Sequence, residues 1–321
     1  MTNNINNMSL TLLSSPLQGF TDFRFRNAVN QYFGGIDTFY APYIRLNGKF
    51  IIKPAYERDL LVKNNTVKEL IPQIMTNSAE EFLFVAKYVQ SLGYNELNWN
   101  LGCPYPMVTK RGMGSGLICK TEKINDILNK VHSESDILVS MKMRLGYENP
   151  EEILNALPIL DNYPLKNIAI HARLGKQLYK GGVDLEGFQK ALDKTKHLLY
   201  YNGDITSVES FNKVRDRFPS ITHFMIGRGL IADPFLPSMI KNNTTEYPEN
   251  HLETFSKFHD TIYHDYKDYL SGDKHALLKM TSFWEYFATT FDNTQKTFKK
   301  IKKSKSIDAY EDAVRDIFTQ E

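Results

Sequence analysis

Cysteine is scarce in this chain, with two in 321 residues, Cys103 and Cys119. Two thiols give no disulfide framework, and a reducing, cytoplasmic compartment is the expectation. Long apolar runs are missing as well. None approaches the ~20 residues of a membrane-spanning helix, so no membrane partner is expected. The start, Met1-Thr2-Asn3-Asn4, lacks both a basic stretch and an apolar one, which argues against a signal peptide. Neither sign of charge dominates: 39 Lys and Arg stand against 37 Asp and Glu, for a formal net charge of +2. Global charge therefore selects no class of partner. There is no acidic cluster with metal-ligand spacing, so no metal is expected. No G-x-G-x-x-G follows the first strand, which leaves a dinucleotide-binding Rossmann site unsupported. Fixed-period repeats and low-complexity segments are absent too.

What is present is an alternation. Short β-like runs at 10–17, 38–42, 70–75, 96–100, 137–143, 167–171, 197–201 and 223–226 are separated by helical patterns. The spacing predicts a helix over 21–32 with Thr21 as its cap, one over 79–91 and one over 206–217. Phe82, Val85, Ala86 and Val89 recur at helical spacing and read as core. Eight such units predict an α/β fold, a (β/α)8 TIM barrel over 1–243. A doubly wound sheet is the alternative, with no reason to stop at eight even units. From 244 to 321 only helical patterns remain, at 248–270, 275–290 and around Phe298 and Ala313, and they predict a C-terminal helical bundle.

A barrel works at the C-terminal ends of its strands, and unusual residues collect there. They are Pro16, Leu17 and Gln18 after the first strand, Gln73 in the third, Asn100 and Cys103 after the fourth, and Lys142 and Arg144 on the fifth. His171 and Arg173 end the sixth, Asn202-Gly203-Asp204 follow the seventh, and Gly227-Arg228-Gly229 follow the eighth. The opposite strand ends read as plain. Each residue alone has an ordinary explanation; seven on one rim are harder to dismiss. The last two loops of a barrel often hold phosphate. Glycines there expose N–H groups, and Arg228 offers a fork of donors. An FMN fits the set: Gln73 at the pyrimidine edge of its ring and Lys142 near N1 and O2, where charge develops on reduction. A phosphosugar would also satisfy the two loops. Cys103, ahead of a basic glycine-rich run from Lys110 to Gly116, reads as a thiol in a flexible loop that approaches a ligand. Cys119 reads as a small packed hydrophobe.

Six motifs then carry a resemblance. They are Ser15-Pro16-Leu17-Gln18-Gly19-Phe20-Thr21-Asp22, Asn100-Leu101-Gly102-Cys103-Pro104, Met141-Lys142-Met143-Arg144-Leu145-Gly146, Ile170-His171-Ala172-Arg173, Asn202-Gly203-Asp204-Ile205 and Met225-Ile226-Gly227-Arg228-Gly229. In this order the chain resembles the tRNA-dihydrouridine synthases from about Leu12 to near its end. Lys279 and Phe283-Trp284-Glu285-Tyr286-Phe287 are similar to that family's C-terminal region. Arg45 and the glycine-rich loop look most like a bacterial subgroup that acts on position 16 of tRNA, the C subgroup.

The resemblance implies an FMN enzyme that reduces a D-loop uridine of tRNA to dihydrouridine with NADPH or NADH, as a monomer. It puts Pro16, Leu17, Gln18, Gln73, Lys142, Asn202, Gly203, Asp204, Gly227 and Arg228 around FMN, with His171 close by. Cys103 becomes the proton donor to C5, opposite the hydride delivered to C6. Asn100 and Arg144 hold the flipped uridine, and Arg45 and Lys279 lie along the tRNA. Two positions depart from the family pattern: Leu17 where Met is common, and Asn98 where Asp is common. A stripe of lysines from Lys296 to Lys305 is the expected RNA footprint, although the tail as a whole holds slightly more acid than base. The alternatives are an FMN barrel acting on a free pyrimidine and a non-catalytic RNA-binding module.

Overall fold

The computed structural model describes residues 9–319; the opening Met1–Asn4 lies outside them. Among these described residues nine parallel strands form the sheet: β1 (Thr11–Ser14), β2 (Thr38–Tyr40), β3 (Leu70–Ile71), β4 (Gln73–Ile74), β5 (Glu96–Leu101), β6 (Leu138–Gly146), β7 (Ile168–Leu174), β8 (Leu199–Asn202) and β9 (His223–Ile226). Their order is β3-β2-β1-β9-β8-β7-β6-β5-β4. The sheet thus begins and ends on one stretch of chain. The third expected strand, 70–75, is split at Pro72, which has no N–H for a ladder. Its first half pairs with β2 and its second with β5. The Ile44 N–H reaches the Gln73 carbonyl at 2.7 Å and the Asn98 N–H reaches the Pro72 carbonyl at 2.9 Å. Bonded on both sides, this segment closes the eightfold barrel.

Around it run α1 (Phe23–Tyr32), α2 (Pro54–Leu60), α3 (Ala79–Ser91), α4 (Pro106–Thr109), α5 (Thr121–Glu134), α6 (Glu151–Leu160), α7 (Leu185–Lys194), α8 (Val208–Arg217), α9 (Arg228–Ala232) and α10 (Leu236–Asn242). The cap of α1 is Asp22, not Thr21: its carboxylate accepts from the N–H groups of Arg24 and Phe25. The Thr21 hydroxyl instead accepts the Leu17 N–H at 2.9 Å, tightening the loop after β1. On α3, Phe82, Val85, Ala86 and Val89 are buried as their spacing predicts, behind a Ser78 cap.

Inside the barrel Leu13, Tyr40, Ile71, Ala169, Tyr200 and Met225 form an apolar plug. The lower rim is less plain than the sequence suggests. Glu96, 2% exposed, takes an ion pair from Lys166 at 2.5 Å, and the Thr38 hydroxyl donates to Glu69. These contacts hold strands together and face no cleft.

After α10, where Asn243 takes a left-handed φ of 50°, come α11 (His251–Tyr269), α12 (Asp273–Phe287), α13 (Thr294–Lys303) and α14 (Ile307–Thr319). One hydrophobic cluster runs through the barrel shell and this tail. Phe25 of α1 stacks on Phe283 at 5.8 Å and meets Phe258 edge-on. Tail and barrel are therefore joined by core packing. Among the described residues no helix is long and apolar enough to cross a membrane.

Candidate active site

Strand register assembles the site. Lys142 pairs with Asn100, Arg144 with His171, His171 with Asn202, and Asn202 with Met225. Side chains two apart on a strand share a face, so Lys142 and Arg144 on β6 both point into the barrel mouth. Its upper end opens as a cleft of about 1120 Å³, continuous with solvent. Pro16, Leu17 and Gln18 line it after β1, Lys142 and His171 from β6 and β7, and Asn202, Gly203, Asp204, Gly227 and Arg228 from the ends of β8 and β9; a Cβ on Gly227 would lie 3.9 Å from Leu17. Asn100, Cys103 and Arg144 complete the lining.

The Lys142 ammonium donates to the Asn202 Oδ1 at 2.9 Å. Burial, then the nearby Arg144 charge, bring its pKa down to about 7. One acceptor for three donors leaves it able to bind more. The Asn202 amide is locked by a second bond, from its Nδ2 to the Met225 carbonyl at 2.7 Å. Arg144 donates to the carbonyls of Gly102 (3.0 Å) and Leu174 (2.8 Å). His171 is held well below its ordinary pKa by burial and by Arg144, Lys142, Arg173 and Arg228, and so stays neutral. Asp204, with a left-handed φ of 45°, receives both guanidinium nitrogens of Arg173 (2.7 and 2.5 Å) and one from Arg228 (3.2 Å). Gly203 has φ +141°, and a Cβ there would lie 2.8 Å from Val183; no other residue fits this approach. The lining is cationic overall, with Asp204 as its one carboxylate among the described lining residues.

Cys103 is 9% exposed, and burial raises its thiol pKa, against weaker lowering from Arg144, Arg45 and Tyr43. Its N–H and that of Gly102 both donate to the Asn100 Oδ1 at 3.0 Å. A peptide N–H can only donate, so the Asn100 Nδ2 must face the other way, to the Gln73 Oε1 at 2.8 Å. The Gln73 Nε2 then donates to the Asn98 Oδ1, and the Asn98 Nδ2 to the Ser140 Oγ, each at 2.8 Å. Three amides thus form a row across the barrel interior that ends at the thiol-bearing turn. Gln73 is fully buried in this row, beneath Asn100 and outside the cleft lining.

Two expectations about the cysteine segment are corrected. The glycine-rich run is not a flexible loop open to a ligand. It forms a buried 3-10 turn, Gly114–Leu117, beneath Cys103. The Ser115 N–H and hydroxyl both donate to the Cys103 carbonyl, at 3.0 and 3.1 Å. A Cβ on Gly114 would lie 2.5 Å from that same oxygen. Here the glycines let chain approach chain. Cys119 is exposed rather than packed.

Arg45 and Lys279 lie outside the lining. Arg45 stands near Cys103 and Tyr43, with its Nε buried and unpartnered among the described residues. Lys279 on α12 donates to the Gly19 carbonyl in the loop after β1, and its ammonium lies 4.4 Å from the Tyr266 ring. It clasps tail to barrel. Aromatic residues that strand-end reasoning missed also border the cleft: Phe20, Tyr43, Tyr105, Tyr179 and Tyr286. The Tyr179 ring lies 4.3 Å from the Arg228 guanidinium and 5.4 Å from that of Arg144. Phe20, Tyr43, Tyr105 and Tyr179 come from loops, which carry no periodic signal, and Tyr286 from α12 of the tail, whose helical pattern does not say which face meets the barrel. Among the described residues no group of three or more His, Cys, Asp and Glu could hold a metal ion.

Comparison with known proteins agrees with this geometry. A family model described as dihydrouridine synthase matches residues 12–319. A protein of Helicobacter pylori strain J99 named "Probable tRNA-dihydrouridine synthase" is 26% identical, over 97% of this chain and 92% of its own. A tRNA-dihydrouridine(16) synthase of Pseudomonas syringae pv. tomato is 29% identical, over 70% of this chain and 73% of its own. Among solved structures, morphinone reductase superposes with a TM-score of 0.54 at 11% identity, covering 79% of this chain and 91% of that one, a likeness of fold. Since the family match runs through barrel and tail together, the chain belongs to the dihydrouridine synthase family.

Proposed function

We propose that this chain is an FMN-dependent tRNA-dihydrouridine synthase that uses NADPH or NADH to reduce the C5=C6 bond of a D-loop uridine. The observation that carries the reading is the pairing of a cationic lining with a buried thiol in one cleft. The donor set fits a flavin mononucleotide. Lys142 has hydrogens to spare and, among the described residues, no carboxylate partner, and Arg228 lines the cleft with the glycines of the last two loops. Bound there, the flavin would supply the hydride.

The chain's own residues do the rest. Lys142 holds positive charge where the electron-rich edge of the ring would lie. Gly203, Gly227 and Arg228 would hold the flavin's phosphate. The Asn100 amide, oriented from behind by Gln73, and the Arg144 guanidinium bind the uracil and stabilise the enolate that develops on it. Cys103 keeps its proton at neutral pH and donates it to C5. The uridine reaches these groups only when extruded from the folded RNA.

The tail, 244–321, is read as the tRNA-binding part. On α13 and its approach Lys296, Lys299, Lys300 and Lys303 line one groove, and a row of cations suits a phosphodiester backbone. Replacing Lys296, Lys299 and Lys303 with Glu is expected to weaken tRNA binding at least tenfold and flatten its salt dependence. An unchanged slope of log affinity against log salt would assign these lysines to solvation alone. Relatives named tRNA-dihydrouridine(16) synthase support position 16 as the target.

The test of the whole reading is direct. The purified protein should show a flavin absorption band and convert uridine in unmodified tRNA to dihydrouridine with NADPH or NADH, and mapping in a deletion strain should locate the lost site. A colourless protein that takes up no FMN, or one that reduces free uracil and leaves tRNA untouched, would overturn it.

A further inference from the structure

Polar and aromatic groups around the cleft are accounted for above, but two large apolar side chains beside it face solvent without explanation. Tyr105 is 54% exposed and Met107 is 73% exposed. They flank Pro106, two and four residues beyond Cys103, and Tyr105 also lines the cleft.

Their mounting is stiff. Pro104 and Pro106 fix the backbone on either side of Tyr105. The Tyr105 carbonyl accepts the N–H groups of Val108 (2.8 Å) and Thr109 (3.0 Å), closing the single turn of α4. Val108 is buried with Cys103, Met75 and Met113, so the exposed pair and the thiol share one apolar base. Next along the chain Lys110 and Arg111 are exposed, and neither has an ion-pair partner among the described residues. The result is a rigid apolar tip with a cationic flank, at the edge of the pocket.

We propose that Tyr105 and Met107 form a wedge that stacks on the bases flanking the reacting uridine and fills the place it leaves on extrusion. This rests on the reading of the substrate as a uridine within folded tRNA. Pulling a base from its stack costs free energy. Aromatic or thioether surface against the neighbouring bases offsets that cost, and Lys110 and Arg111 neutralise adjoining phosphates. A free pyrimidine has no flanking bases and would leave the two side chains without a partner.

The test uses full-length holoenzyme and a tRNA transcript with 2-aminopurine beside the target uridine. This probe is dim when stacked and bright when not. Bound to the wild-type protein it should stay dim. With Tyr105→Ala/Met107→Ala it should brighten severalfold, and kcat/KM for uridine reduction should fall about ten- to a hundredfold, as expected for losing one stacked base. Tyr105→Phe/Met107→Leu, which keeps the surface, should restore both readouts. An active wild type matched by the double alanine variant in brightness and rate would overturn the wedge alone. A slower variant with unchanged brightness would also overturn it, and assign the pair to the cleft wall. A wild type that cannot reduce tRNA would overturn the functional reading and this inference with it.

Discussion

Replacing Cys103 with alanine is expected to leave the flavin colour intact and to cut uridine reduction by about 10²–10⁴, the usual contribution of a positioned general acid. The thiol suits an acid because of where it sits. It is 9% exposed, and burial lifts its pKa in spite of Arg144 and Arg45. The proton is therefore retained beyond pH ~8.5, where an exposed cysteine would be half ionised. Its backbone is fixed by Asn100 on one side and Ser115 on the other, so the truncation removes a proton and little else. Single-turnover reduction of tRNA, with the absorption band as a control for cofactor, checks this. Turnover at the wild-type rate would leave Cys103 without an acid role.

Lys142→Met is expected to act in opposite directions on stability and activity. Lys142 is pulled down to about 7 by burial and by Arg144, far below its unfolded range. In the protein stripped of cofactor, the unfolded chain then binds more protons than the folded one between pH 7 and the ordinary lysine range. Stability rises with pH through that window and is lower at neutral pH. Methionine removes the buried amine, so the stripped variant should melt higher at pH 7 and lose that pH dependence. A tenfold change in the amine's proton affinity corresponds to about 1.4 kcal/mol, less here because the cleft side of the ammonium meets solvent. Activity should fall about 10²–10³, as for loss of one preorganised donor to developing charge. Thermal melts against pH, set beside tRNA reduction rates, give both readings. A variant that melts lower and retains its activity would remove Lys142 from both arguments.

Much of the fold was legible because barrel strands and their helices leave separate periodicities. The helix at 79–91 falls where its pattern puts it, and the strand read over 96–100 runs one residue further, to Leu101. The split at Pro72 was written in the residue itself, yet an apolar run on both sides hid it. The exchange of Thr21 for Asp22 as helix cap depended on which of two suitable side chains reached the free N–H groups, and adjacent residues do not reveal that. Gln73 is the instructive site residue. Its polarity in an apolar strand demands polar partners, but those partners, Asn98 and Asn100, lie on the next strand, beyond the reach of local pattern. Likewise the glycines from Gly112 to Gly116 signal close approach without saying whether to a ligand or to the chain. The aromatic border escaped because Tyr43, Tyr105, Tyr179 and Tyr286 converge from distant loops and the tail.

The row of amides from Ser140 to the Cys103 turn has a direction imposed at one end, by peptide hydrogens that cannot reverse. Its members are therefore not equally free to change. Reversing any one amide asks its neighbour to reverse as well, and the demand stops only at a group indifferent to the choice. Ser140 is such a group, since a hydroxyl can turn from acceptor to donor. An Asp at position 98 would leave every link in register with Ser140 turned about, whereas an Asp at 100 would set a carboxylate against the Gln73 oxygen and force the whole line to flip. Evolutionary drift is thus freer at 98 than at 100, and the terminal hydroxyl absorbs it.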